Sequence, residues 1–449
     1  MTGEVTAALA DFTRTVAFAD IPDGVVDRAK IHILDTLGLA LAGSVSGAAR
    51  IVRDHHAAQG LTGNGAAVFG TLQSAPPRFA AFANATAIHA DNFDDTAPQV
   101  RPDRTGGIHA SGAVLPAVLA AGQVSGASCR DFIEAYLVGM EVSSRLNHAI
   151  AARHYGDGFH TTGTMNVFGA VCAIARLRRL GRPETIHAIG IAASQANGIR
   201  RNFGAMAEIL HPAQAAENGI VAADLAARGL TAAAAGGFDP GEIAGKLGAP
   251  WVFENPGVWI KPHPNGALTH PGAGCLLDLL KQNAIAPDRI SRISVQTNER
   301  VLKTLIHHDP ADGMQAKFSM EFTLSIIALA GQAGLAEFAT ENVRRPDVQE
   351  MMRRVDYTAY ASAGEGYTNV TTLIDVVLDD GRVISGRSDY ARGSTRAPMS
   401  FEDVAGKFRQ CAAFGGHPAD RIAALEDAVA RLDRLKDPAI LFDALRSKE

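Results

Sequence analysis

Ala87-Ile-His-Ala-Asp-Asn-Phe-Asp-Asp-Thr96 interrupts an otherwise apolar, alanine-rich length of chain. Phe79 to Ala90 precedes it and Ala110 to Ala121 follows it. Small and apolar side chains lie on every face of both flanks, and helices of that kind belong in an interior. The acidic stretch therefore marks the join between two buried helices, and a mainly helical fold is expected around it. Asp91, Asp94, Asp95, His89 and His109 fall within 21 residues, and the loop Ala97 to Ile108 adds Arg101 and Arg104. Carboxylates, imidazoles and guanidiniums on a loop held by two packed helices suit a binding or catalytic site for an anionic substrate. Spacing alone also allows an acidic helix end in water.

Outward from this join, helical patterns dominate. Val26, Ala29, Ile33, Leu37 and Leu41 are spaced by three and four, a core-facing stripe over Val25 to Leu41 that Gly43 ends. Further helices are predicted at 110–122, 129–151, 163–180, 184–198 and 211–229. Gly63-Asn-Gly65 suggests a dinucleotide loop, but that loop needs a helix directly after it, and a short strand-like Ala-Ala-Val-Phe follows instead. Up to about residue 257 no alternating strand is seen, so the block reads as all-helical. The texture then changes. Ile290 to Thr297 alternates like a strand, and Val370 to Leu378 and Arg382 to Gly386 flank Asp379-Asp-Gly381, a hairpin signal. A helix spans Phe318 to Gln332 between them, and helices return at 400–412, 418–435 and 438–446. The expectation is a helical domain from residues 1–257 and 395–449, interrupted by an α+β domain at 258–394.

At 449 residues, two domains are the prior. Apolar residues at 47% and a net charge of −5 fit a globular protein without the basic patches that nucleic acid or an anionic membrane wants. No apolar run approaches the roughly 18 residues of a membrane span, and Met-Thr-Gly-Glu-Val carries no basic leader. The cytoplasm is the expected address. The four cysteines form no CxxC pair, so neither a zinc site nor an ordinary iron–sulfur site is expected.

Three more clusters bear chemistry. Gly158-Phe-His160-Thr-Thr-Gly163 opens a long helix, with His160 near its positive end. Gly198-Ile-Arg200-Arg201 places two guanidiniums on a turn before Glu208-Ile-Leu-His211-Pro, which suits carboxylate binding but also an ordinary solvated turn. Ile260-Lys261-Pro-His263-Pro, with His270 beyond, sits where the texture changes, and a lysine buried at such a border can act as a base. A surface lysine in a Pro-rich linker reads the same way. Ala316-Lys317-Phe-Ser319 is explained by Ser319 as a helix cap.

Together these segments resemble the MmgE/PrpD family, whose members include 2-methylcitrate dehydratase, cis-aconitate decarboxylase and iminodisuccinate epimerase. His89 to Thr96 is similar to the family's His-Ala-Leu-Asp-Phe-Asp-Asp-Thr, and His109-Ala-Ser-Gly-Ala-Val-Leu-Pro116 to the helix start that follows it. Gly158-Phe-His160, Phe203-Gly-x-Met to His211, Lys261-Pro-x-Pro264 with His270, Phe318-Ser319, and Pro398-Met-Ser400 with Lys407-Phe408 match in order over essentially the whole chain. The resemblance implies a helical domain from both chain ends, an α+β lid domain, a homodimer, a small polycarboxylate substrate, and no metal or organic cofactor. With the resemblance and the residues taken together, catalytic roles are expected for His109, His160 and Lys261, and substrate contacts from Asp91, Asn92, Asp95, Thr96, Arg200, Arg201 and His270.

The departures from the family pattern shape the functional expectation. Asn92 stands where dehydratases and decarboxylases carry the first Asp of the motif, Glu208 where a lysine stands, and Gln214 where an arginine is typical. Gly266 and Phe322 stand where the decarboxylase has a histidine and a tyrosine. The family's activities share the handling of a C–H bond beside a carboxylate, which needs cations for the carboxylates and one or two bases. His109 precedes the helix that opens at Ala110, and the positive helix end there disfavours its imidazolium. With acid positions gone, the residues lean to epimerisation of the iminodisuccinate epimerase kind. A hydro-lyase of the 2-methylcitrate dehydratase type, a carboxy-lyase of the cis-aconitate decarboxylase type, and an inactive paralogue that binds a polycarboxylate are the alternatives.

Overall fold

In the computed structural model, residues 2–98, 106–236, 238–243 and 245–447 are described. Arg101 and Arg104 lie outside them. The chain opens with α1 (Thr2–Thr15), α2 (Asp23–Gly43) and α3 (Gly47–Ala58), a short ladder of β1 (Ala66–Ala67) and β2 (Ser74–Ala75), and α4 (Pro77–His89). There follow α5 (Ser111–Ser125), α6 (Cys129–Ala149), α7 (Thr161–Leu177), α8 (Arg182–Ala193) and α9 (Met206–Ala227). Next come α10 (His270–Gln282), β3 (Ile290–Thr297), α11 (Glu299–Thr304), α12 (Gly313–Ala316), α13 (Met320–Ala330), α14 (Thr340–Val343) and α15 (Pro346–Met352). The strands β4 (Val355–Ala359), β5 (Thr372–Leu378) and β6 (Val383–Ser388) precede α16 (Phe401–Phe414), α17 (Ala419–Ala430) and α18 (Ala439–Ala444). The protein is mainly helical.

The chain divides into two compact units: Met1–Ala90 with Asp94–Ile260 and Ser400–Glu449, and Asp91–Phe93 with Lys261–Met399. In the first, α5, α6 and α7 are buried over nearly their whole lengths. Apolar residues surround the axes of α5 and α7, and α6 buries polar side chains among its apolar ones, so none of the three has a broad solvent face to present. α7 packs between α6 and α9, α4 lies on α5 and α9, and α16 returns from the far end of the chain to lie on α2. A Cβ on Gly38 of α2 would stand 3.1 Å from the Cα of Phe408 in α16, so the two backbones meet closely. Beside that contact Lys407 Nζ stands 2.7 Å from Asp35 Oδ1, both groups buried.

In the second unit, four strands lie in the order β4-β3-β5-β6, with β3 and β4 parallel and the other pairs antiparallel. Ile290, Ile293 and Val295 of β3 and Ile374, Val376 and Leu378 of β5 share one apolar core with α10 and α13.

The all-helical reading of the first block needs correction. The block is not wholly helical, because Ala66 pairs with Ala75 and Ala67 with Ser74. It also holds α3, which Ser46 caps by accepting from Ala49 N at 3.2 Å. Only Ala48, Ala49, Val52 and His56 of α3 are buried, a stripe too thin to stand out among its arginines and histidines.

Polar groups inside the helical unit are matched in detail. Glu141 of α6 is buried, and its Oε1 accepts from Arg145 Nε at 2.8 Å and Gly248 N at 3.0 Å, while its Oε2 accepts from Val252 N at 2.7 Å. Burial pushes this carboxyl up, and Arg145 pulls it back towards the charged form. The contact anchors the 248–252 segment, which leads to Trp259. Glu141→Ala would strand a guanidinium and two backbone N–H groups, a loss on the order of 3–5 kcal/mol. Urea unfolding should show this as a large fall in midpoint, and a change under about 1 kcal/mol would refute the assignment.

Candidate active site

The acidic join is no solvated helix end. Asp94 and Asp95 are 0% and 1% exposed. Thr96 exchanges backbone hydrogen bonds of 2.8 Å with Trp259, and Ala97 pairs with Ile108 at 2.8 and 3.0 Å. These two bridges draw the chain after α4 and the chain before α5 into one sealed corner.

Within that corner each aspartate holds an imidazole. His89 Nδ1, at the end of α4, donates to Asp94 Oδ1 and Oδ2 at 3.0 and 2.9 Å. Asp94 can come this close to α5 because residue 112 is glycine, whose added Cβ would stand 2.7 Å from Asp94 Oδ2. His32 Nδ1, in the middle of α2, donates to Asp95 Oδ2 at 2.8 Å. Ser111 Oγ donates to the same oxygen and in turn accepts from Tyr136 Oη at 2.6 Å. Burial and the nearby Asp95 push the Tyr136 phenol far above its ordinary range, so it remains a donor.

The Asp95 backbone completes the arrangement. His109 Nδ1 donates to the Asp95 carbonyl oxygen at 2.7 Å, with Thr96 Oγ1 at 3.2 Å. A carbonyl oxygen only accepts, so Nδ1 carries the proton, and in the neutral ring the lone pair lies on Nε2. The backbone on either side is held as well, by His109 N to Thr162 Oγ1 at 3.2 Å and Asn166 Nδ2 to His109 O at 2.7 Å.

Beyond His109 lie two more histidines. The His109 ring centroid is 5.4 Å from that of His89 and 6.4 Å from that of His160. His160 occupies the N-cap position of α7, and its Nδ1 stands 2.8 Å from His211 Nδ1 on α9. His109 keeps a 16% exposed side chain, while His89, His160 and His211 are buried. Burial first, then the neighbouring imidazoles, holds His160 well below the ordinary histidine range. Burial brings His211 down to about 4. Both are neutral rings at pH 7.

Arg200 joins this group, with its backbone N donating to Gly158 O at 2.8 Å and Nη1 to Tyr155 O at 2.9 Å. Its guanidinium lies 4.0 Å over the Tyr155 ring and 5.9 Å from Phe203, which itself packs edge-on against His160. Arg201 is exposed. Of the pair considered from sequence, Arg200 is therefore the one placed beside the histidines.

The other expected residues belong to the second unit. Lys261 is 2% exposed, and its Nζ donates to Asn92 O at 2.8 Å and Asn92 Oδ1 at 2.6 Å. Asn92 sits at φ +50°, a left-handed conformation that asparagine tolerates better than most residues. Asp91 pairs with Lys317 at 3.0 Å, and His270 Nε2 donates to Asn265 Oδ1 at 2.7 Å. The departures have local work of their own. Phe322 packs against Phe338 in the apolar core of this unit, and Glu208, in the first unit, accepts from Gly204 N at 3.2 Å at the start of α9. Among the described residues, no group of three His, Cys, Asp or Glu side chains is arranged to hold a metal ion.

Buried carboxylate–imidazole pairs in the helical unit surround a more open histidine, an arrangement suited to acid–base chemistry. The MmgE/PrpD N-terminal domain matches residues 7–240, and the MmgE/PrpD C-terminal domain matches residues 263–431. The chain belongs to the MmgE/PrpD family and is an enzyme of its isomerase or lyase kind. Over 99% of its length it is 26% identical to the cis-aconitate decarboxylase of Mus musculus and 27% identical to that of Homo sapiens, covering 94% and 95% of those proteins. A cis-aconitate decarboxylase of Aspergillus terreus is 26% identical over 98% of this chain and 96% of its own length.

The buried imidazoles make stability depend on pH. Histidine in the unfolded chain titrates near 6.5, whereas His160 and His211 titrate lower in the folded protein. Below pH 6.5 the unfolded chain therefore binds protons that the folded one refuses, and stability falls as pH drops towards 4. The urea midpoint should decline over that range, and less steeply in His211→Asn. Equal slopes in the two proteins would contradict a neutral, buried His211.

Proposed function

We propose that the protein is a lyase acting on a small di- or tricarboxylate by proton transfer at the carbon beside a carboxylate. One observation carries this reading: the Asp95 carbonyl holds the His109 Nδ1 proton, which leaves Nε2 as the basic atom of the most open ring in the cluster. In a dehydration, His109 Nε2 takes the proton from carbon, the electrons form the double bond, and the leaving hydroxyl departs as water once an acid protonates it. In a decarboxylation, the carbon–carbon electrons stay on carbon as CO2 leaves, and an imidazole N–H returns a proton to that carbon. Either path builds negative charge beside a carboxylate, which a nearby guanidinium such as that of Arg200 stabilises.

The residue inventory alone favours an epimerase. Relatives named cis-aconitate decarboxylase, alike over almost their whole length, support lyase chemistry more directly. Decarboxylation of cis-aconitate and dehydration of a hydroxy-tricarboxylate are thus the leading reactions, with epimerisation second. A homodimer and a lid role for the α+β unit belong to the same proposal.

Proton NMR in D2O on a panel of di- and tricarboxylates that includes cis-aconitate separates these outcomes. CO2 release with deuterium in the product marks a decarboxylase, and a new alkene proton marks a dehydratase. Exchange without net product marks an epimerase, and silence across the panel overturns the proposal. His109→Gln should lower turnover about 10² to 10⁴-fold with the fold intact, as expected for loss of a general acid–base group. Near-normal turnover in that variant would reduce His109 to a loop residue. Lys261→Met in the same assay tests the ammonium as a substrate contact.

A further inference from the structure

His160 and His211 stand 51 residues apart in sequence, yet their Nδ1 atoms are 2.8 Å apart with the rings inclined at 66°. The residues retain only 3% and 4% exposure. Gly198 secures both, since its carbonyl accepts from His160 N at 3.0 Å and its Cα faces the His211 ring. Two nitrogen atoms at this distance share a proton, one donating and one accepting. In a pair of neutral imidazoles this forces opposite tautomers. If His160 Nδ1 donates, its Nε2 is a lone pair and His211 carries its proton on Nε2. If His211 Nδ1 donates, His160 carries its proton on Nε2 and becomes an acid.

We infer that His160 and His211 form a two-imidazole proton relay, through which His211 passes on the proton that His160 exchanges with substrate. It rests on the proposed reaction, with His160, expected from the sequence to be catalytic, as the second imidazole that exchanges a proton with substrate beside His109. Where His160, and not His109, is the ring that takes the proton, the substrate C–H bond breaks and a new N–H bond forms at His160 Nε2. The His160 Nδ1–H bond then breaks as His211 Nδ1 takes that proton, so the positive charge moves to His211. His211 loses its Nε2 proton to solvent, and both rings are neutral again with their tautomers exchanged. The reverse sequence delivers a proton to a substrate carbanion. Such a pair suits a buried site, because the charge does not remain on the ring nearest the substrate, where burial opposes it.

Two measurements test the relay. Histidine 15N NMR of the resting protein, assigned with His160→Asn and His211→Asn, should show one of the two Nδ1 atoms protonated and the other bare. Two bare Nδ1 atoms would overturn the relay without reference to any activity. In steady-state kinetics His211→Asn keeps an amide to hydrogen-bond with His160 Nδ1 but cannot carry a proton onward. It should lose about 10²-fold in kcat with KM nearly unchanged. Wild-type kcat in His211→Asn, with loss only in His211→Phe, would reduce His211 to a residue that positions His160 and would overturn the relay. Should the intact protein turn over none of the acids, the functional reading fails, and the NMR result alone decides whether the two rings share a proton.

Discussion

Asp95 is the constraint on which the corner depends. A carboxylate taken out of water needs hydrogen-bond donors, and Asp95 draws them from His32 of α2 and from the side chain and backbone of Ser111 in α5. The same residue uses its backbone oxygen to hold His109. Two helices that are distant in sequence and the open imidazole are thereby tied to one residue. Replacing that carboxylate would remove the tie between α2 and α5, while the backbone oxygen that holds His109 would remain.

A second layer lies behind it. His32 stands in the turn before Asp35, and Asp35 meets Lys407 of α16. Burial pushes the Asp35 carboxyl up, while Lys407 favours its charged form. Polar contacts thus run inward from a helix near residue 400 to the join near residue 95. No single step in that line would be stable alone in an apolar interior, and each is tolerated because the next is present.

Much of the fold was legible because its elements announce themselves locally. α2 follows from its own spacing of apolar residues, and the β5–β6 hairpin from Asp379-Asp-Gly381. β4 escaped notice because it is a five-residue edge strand, nowhere fully buried, whose partner β3 lies about sixty residues earlier. The site divides in the same way. His109 and His160 sit at polar breaks between apolar helices, and such breaks show in sequence. His32 sits inside a helical stripe and is singled out only by Asp95, 63 residues away. His211 was visible ahead of Pro212, but its significance comes from a ring on another helix. Contacts of that range have no local pattern to betray them.

The return of α16 onto α2 bears on how the molecule comes into being. Asp35 is made early and its buried ammonium partner only after residue 400. A growing chain therefore carries an unmatched carboxylate in a half-built helical body until its last fifty residues arrive, while the 261–399 segment already holds its whole sheet. Elements of high sequence separation are the last to be rewarded for the entropy they surrender. Closure of the helical body at this contact therefore waits on its C-terminal segment, whereas the inserted unit has its sheet within one continuous stretch.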